Sequence, residues 1–382
     1  MFDGTLARSL SVDDVRGAAR QRLPAPLFDY LDGGAETEYT ARRNCAAFDD
    51  LALLPRCLVD VTRVQTASRL LGQEVAWPVL CSPTGASRFY HAEGELAVAR
   101  AAQREGTLYG VSVMGTHSLE AVAAASGPKV FQLLIFKDRD LTVDLLDRAR
   151  RAGYPALCLT VDAGVRGKRE RELRAGLGLP LKLTWGSLGH GLMRPHWAAG
   201  QLRAGRLSLA NLTRWSKCRG IIAQSEYASA QLDTSITWAD ARLLIERWKG
   251  PFAIKGVMSV ADALRAVEIG ATALIVSNHG GRQLDGASSA LEALPAIVAA
   301  VDKRAEVIVD GGIRRGSHIL KALALGAKGC SIGRPYLYGL AAGGEAGVVK
   351  VLTILKEELV RAMQLCGCTD VGGVDRDLVR WK

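Results

Sequence analysis

With 382 residues, the chain is long enough for two ordinary domains or for one large α/β barrel, a fold that exceeds 200 residues as a single unit. Its 48% hydrophobic and 23% charged residues exclude a disordered chain, and no run of 18 or more apolar residues predicts a membrane-spanning helix. The formal charge of +10 is large, but no nucleic-acid-binding motif accompanies it, so nucleic acid is not an expected partner.

The N-terminus is amphipathic and charged, without the apolar core of a signal peptide. Residues 1–75 precede the first strand pattern and are expected to form a helical cap, with a barrel domain over 76–382. From there short apolar runs recur, each ending in small or polar residues. They are PVLCSPTG from residue 78, LYGVSVMG from 108, KVFQLLIF from 129 and ALCLTVDA from 156. FAIKGV follows from 252, ALIVSNHGG from 273, EVIVDGG from 306 and GCSIGRP from 329. Helical patterns lie between them; Val260–Ile269, stopped by Gly270, is one. Continuous apolar strands alternating with helices require a parallel sheet covered on both faces. Eight regular units predict a TIM (β/α)8 barrel over its rival, an open doubly wound sheet.

The gap between the fourth and fifth strands is the exception, and it holds an insertion over 176–232. Gly176–Ser225 contains no Asp or Glu but carries Lys182, Arg194, Arg203, Arg206, Arg214, Lys217 and Arg219. Leu177, Leu179, Leu181, Leu183, Trp185, Leu188, Trp197 and Trp215 are interspersed among them. Apolar and Trp residues mixed with Lys and Arg suit a peripheral membrane segment, here 176–225; a water-facing lid over the active site is the alternative. Eight cysteines without a CxxC pair predict free thiols in a reducing, cytoplasmic setting and no metal site.

In such barrels chemistry sits where strands end. Those positions are Pro83, Thr84, Gly85, Ser112, Gln132, Thr160, Asp162, Lys255, Ser277, His279, Asp310, Gly311, Gly312, Gly333 and Arg334. The Gly-rich turns DGGIRRG and SIGRP, with Arg314 or Arg315 and Arg334, follow strands seven and eight, a common phosphate site. A solitary His is more often structural, but His279 ends a strand three residues before Arg282. An imidazole there suits proton transfer, with Asp162 to stabilise its charged form. Arg282 offers the fork that grips a carboxylate. Lys255 reads equally as a Schiff-base amine or as a cation facing an anionic part of a cofactor.

FDYLDGGAE from residue 28, then SPTG, LTVD, KRERELR, IKGV, SNHGGRQLD, DGGIRRG and IGRPYLYGLAAGGEAGV appear in that order. Over nearly its whole length the chain thereby resembles the FMN-dependent 2-hydroxy acid oxidases and dehydrogenases, nearest in pattern to the mandelate and lactate dehydrogenase branch. The resemblance implies oxidation of an L-2-hydroxy acid to the 2-oxo acid. His279 is then the base, Asp162 its partner, Tyr30 a phenol on the substrate, and Arg169 and Arg282 the pair on the substrate carboxylate. Pro83, Thr84, Gly85, Ser112, Gln132, Thr160, Lys255 and Ser277 become FMN contacts. Asp310, Gly311, Gly312, Arg314, Gly333 and Arg334 become the ribityl-phosphate site. The resemblance also implies quinone or oxygen as electron acceptor, a homotetramer, and attachment of the insertion to the inner face of the membrane.

Two positions depart from the pattern. Leu134 stands where most relatives carry Tyr, and Met114 where glycolate oxidases carry Trp. Both make the pocket more apolar, so a substrate bulkier than glycolate, lactate-like or mandelate-like, is expected. Two other readings compete. One is a related flavin enzyme that oxidises a modified amino-acid or peptide-derived substrate, like pre-mycofactocin synthase; retention of Arg169 and Arg282 opposes it. The other is a flavin-free Schiff-base aldolase built on Lys255.

Overall fold

The computed structural model describes residues 4–125, 127–176, 193–218 and 220–382. Expectations placed on Lys182, Trp185, Arg219 and the leucines from Leu177 to Leu188 lie outside the described residues.

Three short strands come first: β1 (Leu51–Leu53), β2 (Ser68–Leu70) and β3 (Gln73–Val75). The next eight are β4 (Val79–Thr84), β5 (Leu108–Ser112), β6 (Lys129–Leu133), β7 (Ala156–Thr160), β8 (Phe252–Val257), β9 (Ala273–Ser277), β10 (Glu306–Asp310) and β11 (Gly329–Ile332). These eight close into an all-parallel barrel, as the alternating pattern predicts, with β11 pairing back onto β4. β5, β6, β7 and β9 are buried at every residue, which is why their sequences are mostly apolar instead of alternating. Local chemistry fixes the helix starts: Asp138 caps Arg139–Arg151, Ser259 caps Val260–Glu268, and Ser289 forms a capping box with Glu292.

The N-terminal stretch is helical over Val12–Arg22, Ala25–Asp32 and Tyr39–Ala46, but it also holds β1–β3, which the helical expectation left out. β2 and β3 form a hairpin whose turn, Leu71 and Gly72, has φ of +51° and +76°. This hairpin inserts Leu70, Leu71 and Val75 against Leu80, Leu108, Val130 and Ile308, closing one end of the barrel. Its strands are three residues each, too short to show a period. β1 pairs antiparallel with β12 (Val379–Trp381), tying the segment after the N-terminal helices to the C-terminal end.

The helix Arg334–Leu365 is long and apolar enough to cross a bilayer by length and composition, a signal missed by the reading of continuous apolar runs. However, 67% of its most apolar window is buried, and it bends at Gly343 and Gly344 while packing on Val12–Arg22 and Gly94–Arg104. It serves as a core helix.

The insertion follows β7 and contributes the helices Pro195–Ala204 and Ile221–Gln231 before the barrel helix Trp238–Trp248. Trp197 and Trp215, assigned above to a lipid-facing set, instead turn inward. Their indole N–H groups donate to Phe89 O at 2.8 Å and to Asp144 Oδ2 at 3.0 Å. A half-buried indole takes an acceptor where the fold offers one.

Candidate active site

A cavity of about 290 Å³ opens at the C-terminal ends of the barrel strands, near the lower limit for small-molecule sites. The first half of the chain lines it with Tyr30, Pro83, Thr84, Gly85, Ser112, Met114, Gln132, Leu134, Thr160 and Arg169. The second half adds Lys255, His279, Arg282, Asp310, Gly311, Gly312, Arg314, Gly333 and Arg334. Two expected residues stand one layer behind. Asp162 faces His279 Nδ1 at 3.1 and 3.2 Å. Ser277 Oγ accepts from Lys255 Nζ at 3.0 Å and donates to Asp310 Oδ2 at 2.7 Å. Leu209, Ile221, Ala228 and Leu232 of the insertion form an apolar wall of the same cavity.

His279, Gly280 and Gly281 turn through left-handed φ values of +58°, +64° and +73°. At a His this conformation is strained, and the Ser277 hydroxyl, accepting the His279 backbone N–H at 3.1 Å, helps to hold it. The Asp162 carboxylate assigns the proton to Nδ1 and leaves Nε2 as the free base. Burial pushes the Asp162 carboxyl up, but the His279 ring and the Lys255 ammonium outweigh it and hold it below its ordinary range. Gly256, with φ of +108°, makes room: a Cβ there would lie 2.7 Å from the Asp162 carboxyl carbon.

Arg282 Nη1 donates to Tyr30 O at 2.7 Å and Gly33 O at 3.0 Å, with its guanidinium 5.1 Å from the centre of the Tyr30 ring. Its Nη2 donates to Glu172 at 2.8 Å, and Arg169 Nη1 lies 3.7 Å from the same carboxylate. Burial, reinforced by Arg282, pushes Arg169 down to about 10, so it stays charged at neutral pH. Sequence reasoning missed Glu172, Arg166 and Tyr90. Glu172 sits in KRERELR, which looks like a solvated helix face, yet it is 4% exposed. The three-residue spacing from Arg169 was the available signal.

At the other end, burial disfavours the Lys255 ammonium, but Asp310 and Asp162 more than offset it and raise its affinity for the proton. A Schiff-base lysine needs the opposite shift, so the aldolase reading loses its nucleophile. Gly311 and Gly312 have φ of +119° and +78°, and a Cβ on Gly312 would meet Asn44 O at 1.8 Å. Arg334 Nη1 donates to Gly280 O at 2.8 Å and Nη2 to Gly33 O at 2.7 Å, while its Nε is buried without a hydrogen-bond partner among the described residues. Neither Arg314 nor Arg334 has a carboxylate within ion-pair distance among the described residues, whereas Arg315 turns away to Glu358 at 2.6 Å. Two half-buried cations, an orphaned donor and side-chain-free turns fit a dianionic phosphate. Between the two ends run polar groups in mutual contact: Ser112 Oγ donates to Gln132 Oε1 at 2.9 Å, and Thr84 Oγ1 lies 2.6 Å from Tyr336 OH. The set suits a polar, phosphorylated flavin.

The profile of the family described as FMN-dependent dehydrogenase matches residues 19–381. An L-lactate oxidase of Nostoc sp. is 45% identical over 364 residues, covering 94% of this chain and 94% of that protein. An L-lactate dehydrogenase of Caulobacter vibrioides is 41% identical over 385 residues, covering 97% of each. The crystal structure of the monotopic membrane protein (S)-mandelate dehydrogenase superposes with a TM-score of 0.94 at 37% identity, covering 98% of this chain and 100% of that one. Carrying the strand-end chemistry of that fold along its whole length, the chain belongs to the FMN-dependent dehydrogenase family.

Proposed function

We propose that this FMN-dependent enzyme oxidises an L-2-hydroxy acid bulkier than glycolate to its 2-oxo acid, with His279 as base and Arg169 and Arg282 on the carboxylate. The observation that carries the reading is the meeting of an Asp162–His279 pair and two arginines in the cavity whose far end fits the phosphate. Bound FMN supplies the two-electron acceptor. Arg314, Arg334 and the glycine turns hold its phosphate, and Lys255 keeps a fixed positive charge at the barrel end of the cavity. Arg169 and Arg282 orient the substrate by its carboxylate, and the Tyr30 phenol is in place for a hydrogen bond to it. His279 Nε2 takes the proton released on oxidation, and Asp162 stabilises the imidazolium that results. Leu134, Met114, Leu209, Ile221, Ala228 and Leu232 exclude water and give the substrate side chain an apolar wall.

Peripheral contact with anionic lipid, and hence quinone as acceptor, is supported by the exposed Arg203, Arg206, Arg214 and Lys217 beside the exposed Met193 and Leu202. The monotopic mandelate dehydrogenase supports the same reading. Oxygen is the second reading, because a 45% identical relative is an oxidase. The test is anaerobic mixing with lactate, mandelate, hydroxymandelate and longer 2-hydroxy acids. Bleaching of the flavin by at least one L-enantiomer is expected; no bleaching by any overturns the proposal. Fast recovery on admitting air marks an oxidase, and slow recovery a dehydrogenase.

A further inference from the structure

Arg166 lines the same cavity but is exposed, which puts it at the mouth. It makes no hydrogen bond or ion pair among the described residues, and 177–192 contains no acidic residue that could pair with it. The backbone on both sides of it is nevertheless held. Gln283 donates through Nε2 to Val165 O at 2.9 Å and accepts through Oε1 from Gly167 N at 3.2 Å. Gly167 packs so closely on the neighbouring strand end that a Cβ there would lie 2.4 Å from Arg282 O. Its electrostatic neighbours are Tyr30, Glu172 and Arg282. Arg166 is therefore a cation carried on a held backbone at a substrate-facing position.

Each of the other cations in the cavity has an anionic partner, present or expected. Lys255 faces Asp310 and also feels Asp162, whose carboxylate holds the neutral His279 ring. Arg314 and Arg334 together match a phosphate dianion. Arg169 and Arg282 share Glu172, which leaves one positive charge for one substrate carboxylate. Arg166 is the cation left over. We propose that the substrate carries a second anionic group, a carboxylate at the end of its side chain, and that Arg166 binds it at the mouth of the cavity. This rests on the 2-hydroxy acid reading above and deepens it: the apolar wall surrounds the middle of the substrate, and the two ends are charged.

The test compares L-2-hydroxyglutarate and L-2-hydroxyadipate, each against its own terminal amide, which keeps the shape and removes the charge. The readout is the ratio of kcat/KM within each pair, for the holoenzyme, R166M and R166K. A charge-assisted pair predicts a diacid-to-amide ratio of about 10 to 100 for at least one chain length. R166M should collapse that ratio towards one, and R166K should restore part of it. Wild-type ratios near one for both lengths overturn the proposal. So does a ratio that survives in R166M, since another group then reads the terminal carboxylate. Failure of all four compounds together with lactate and mandelate to bleach the flavin is a separate outcome, which removes the 2-hydroxy acid reading and the inference with it.

Discussion

At the residue scale, the Asp162–His279 pair depends on an atom that is missing. A Cβ at Gly256 would overlap the Asp162 carboxyl group, so Gly256→Ala, strained as well by the φ of +108°, displaces that carboxylate. A base deprived of its partner loses part of the 10²- to 10⁴-fold that proton transfer supplies, so flavin reduction should slow by roughly 10-fold or more. Flavin content and substrate KM should change little; stopped-flow reduction and the absorbance spectrum of the purified variant check both. Leu134 makes the complementary case. It is buried against the cavity where the family resemblance implies a Tyr hydroxyl, and a hydrogen bond next to a charge contributes on the order of 1–3 kcal/mol. Leu134→Tyr should therefore raise turnover of small 2-hydroxy acids such as lactate by about 10-fold. An unchanged or lower kcat/KM on lactate would count against this placement of the pocket. His279 and Arg282 were legible in sequence because their motif ends a strand. Glu172 and Arg166 were not, because a charged side chain reads as solvated until another element covers it.

At the scale of elements, the insertion presents two chemically different faces. Its inner face walls the cavity with Leu209, Ile221, Ala228 and Leu232, and its outer face shows Arg203, Arg206, Arg214 and Lys217. Among the described residues, Met193 and Leu202, respectively 64% and 84% exposed, are the large apolar groups available to lipid there. Binding to anionic vesicles at low salt should thus weaken as salt rises, and Leu202→Glu should weaken it severalfold by adding one negative charge and removing one apolar contact. Vesicle sedimentation reads this directly; a wild-type protein left in the supernatant at low salt rejects membrane docking. Composition alone revealed the basic character of this segment, but not which of its tryptophans face inward.

At the scale of the whole molecule, the helix Gly316–Ala324 joins the phosphate turn to the N-terminal cap. Its His318 is 9% exposed and stacks on Phe48 with ring centres 4.4 Å apart. The unprotonated Nδ1 accepts the Arg314 backbone N–H at 3.3 Å. Burial, with Lys321 and the neighbouring arginines adding to it, pushes the His318 imidazole down to about 4. An unfolded chain takes up a proton near pH 6.5 that the folded one refuses until about pH 4, so stability falls as pH drops through that window. Between pH 6.5 and 5 the loss is on the order of 2 kcal/mol. His318→Gln should flatten this part of the stability–pH curve, measured by denaturant midpoints of the holoenzyme; an unchanged slope would place the proton elsewhere.

The sequence by itself determined the barrel, because eight apolar strands buried on both faces leave no other closed arrangement, and each strand carried its polar terminus with it. It also marked many of the residues that line the cavity, since strand ends are local features. Only the tertiary structure decided that Asp162 and Ser277 act from behind the lining, that the β2–β3 hairpin closes the barrel, and that the long apolar helix belongs to the core. It alone brought Glu172 between two arginines and left Arg166 without a partner among the described residues. Periodicity reports which face of an element is covered, whereas charge pairing across elements depends on distances that no stretch of sequence contains.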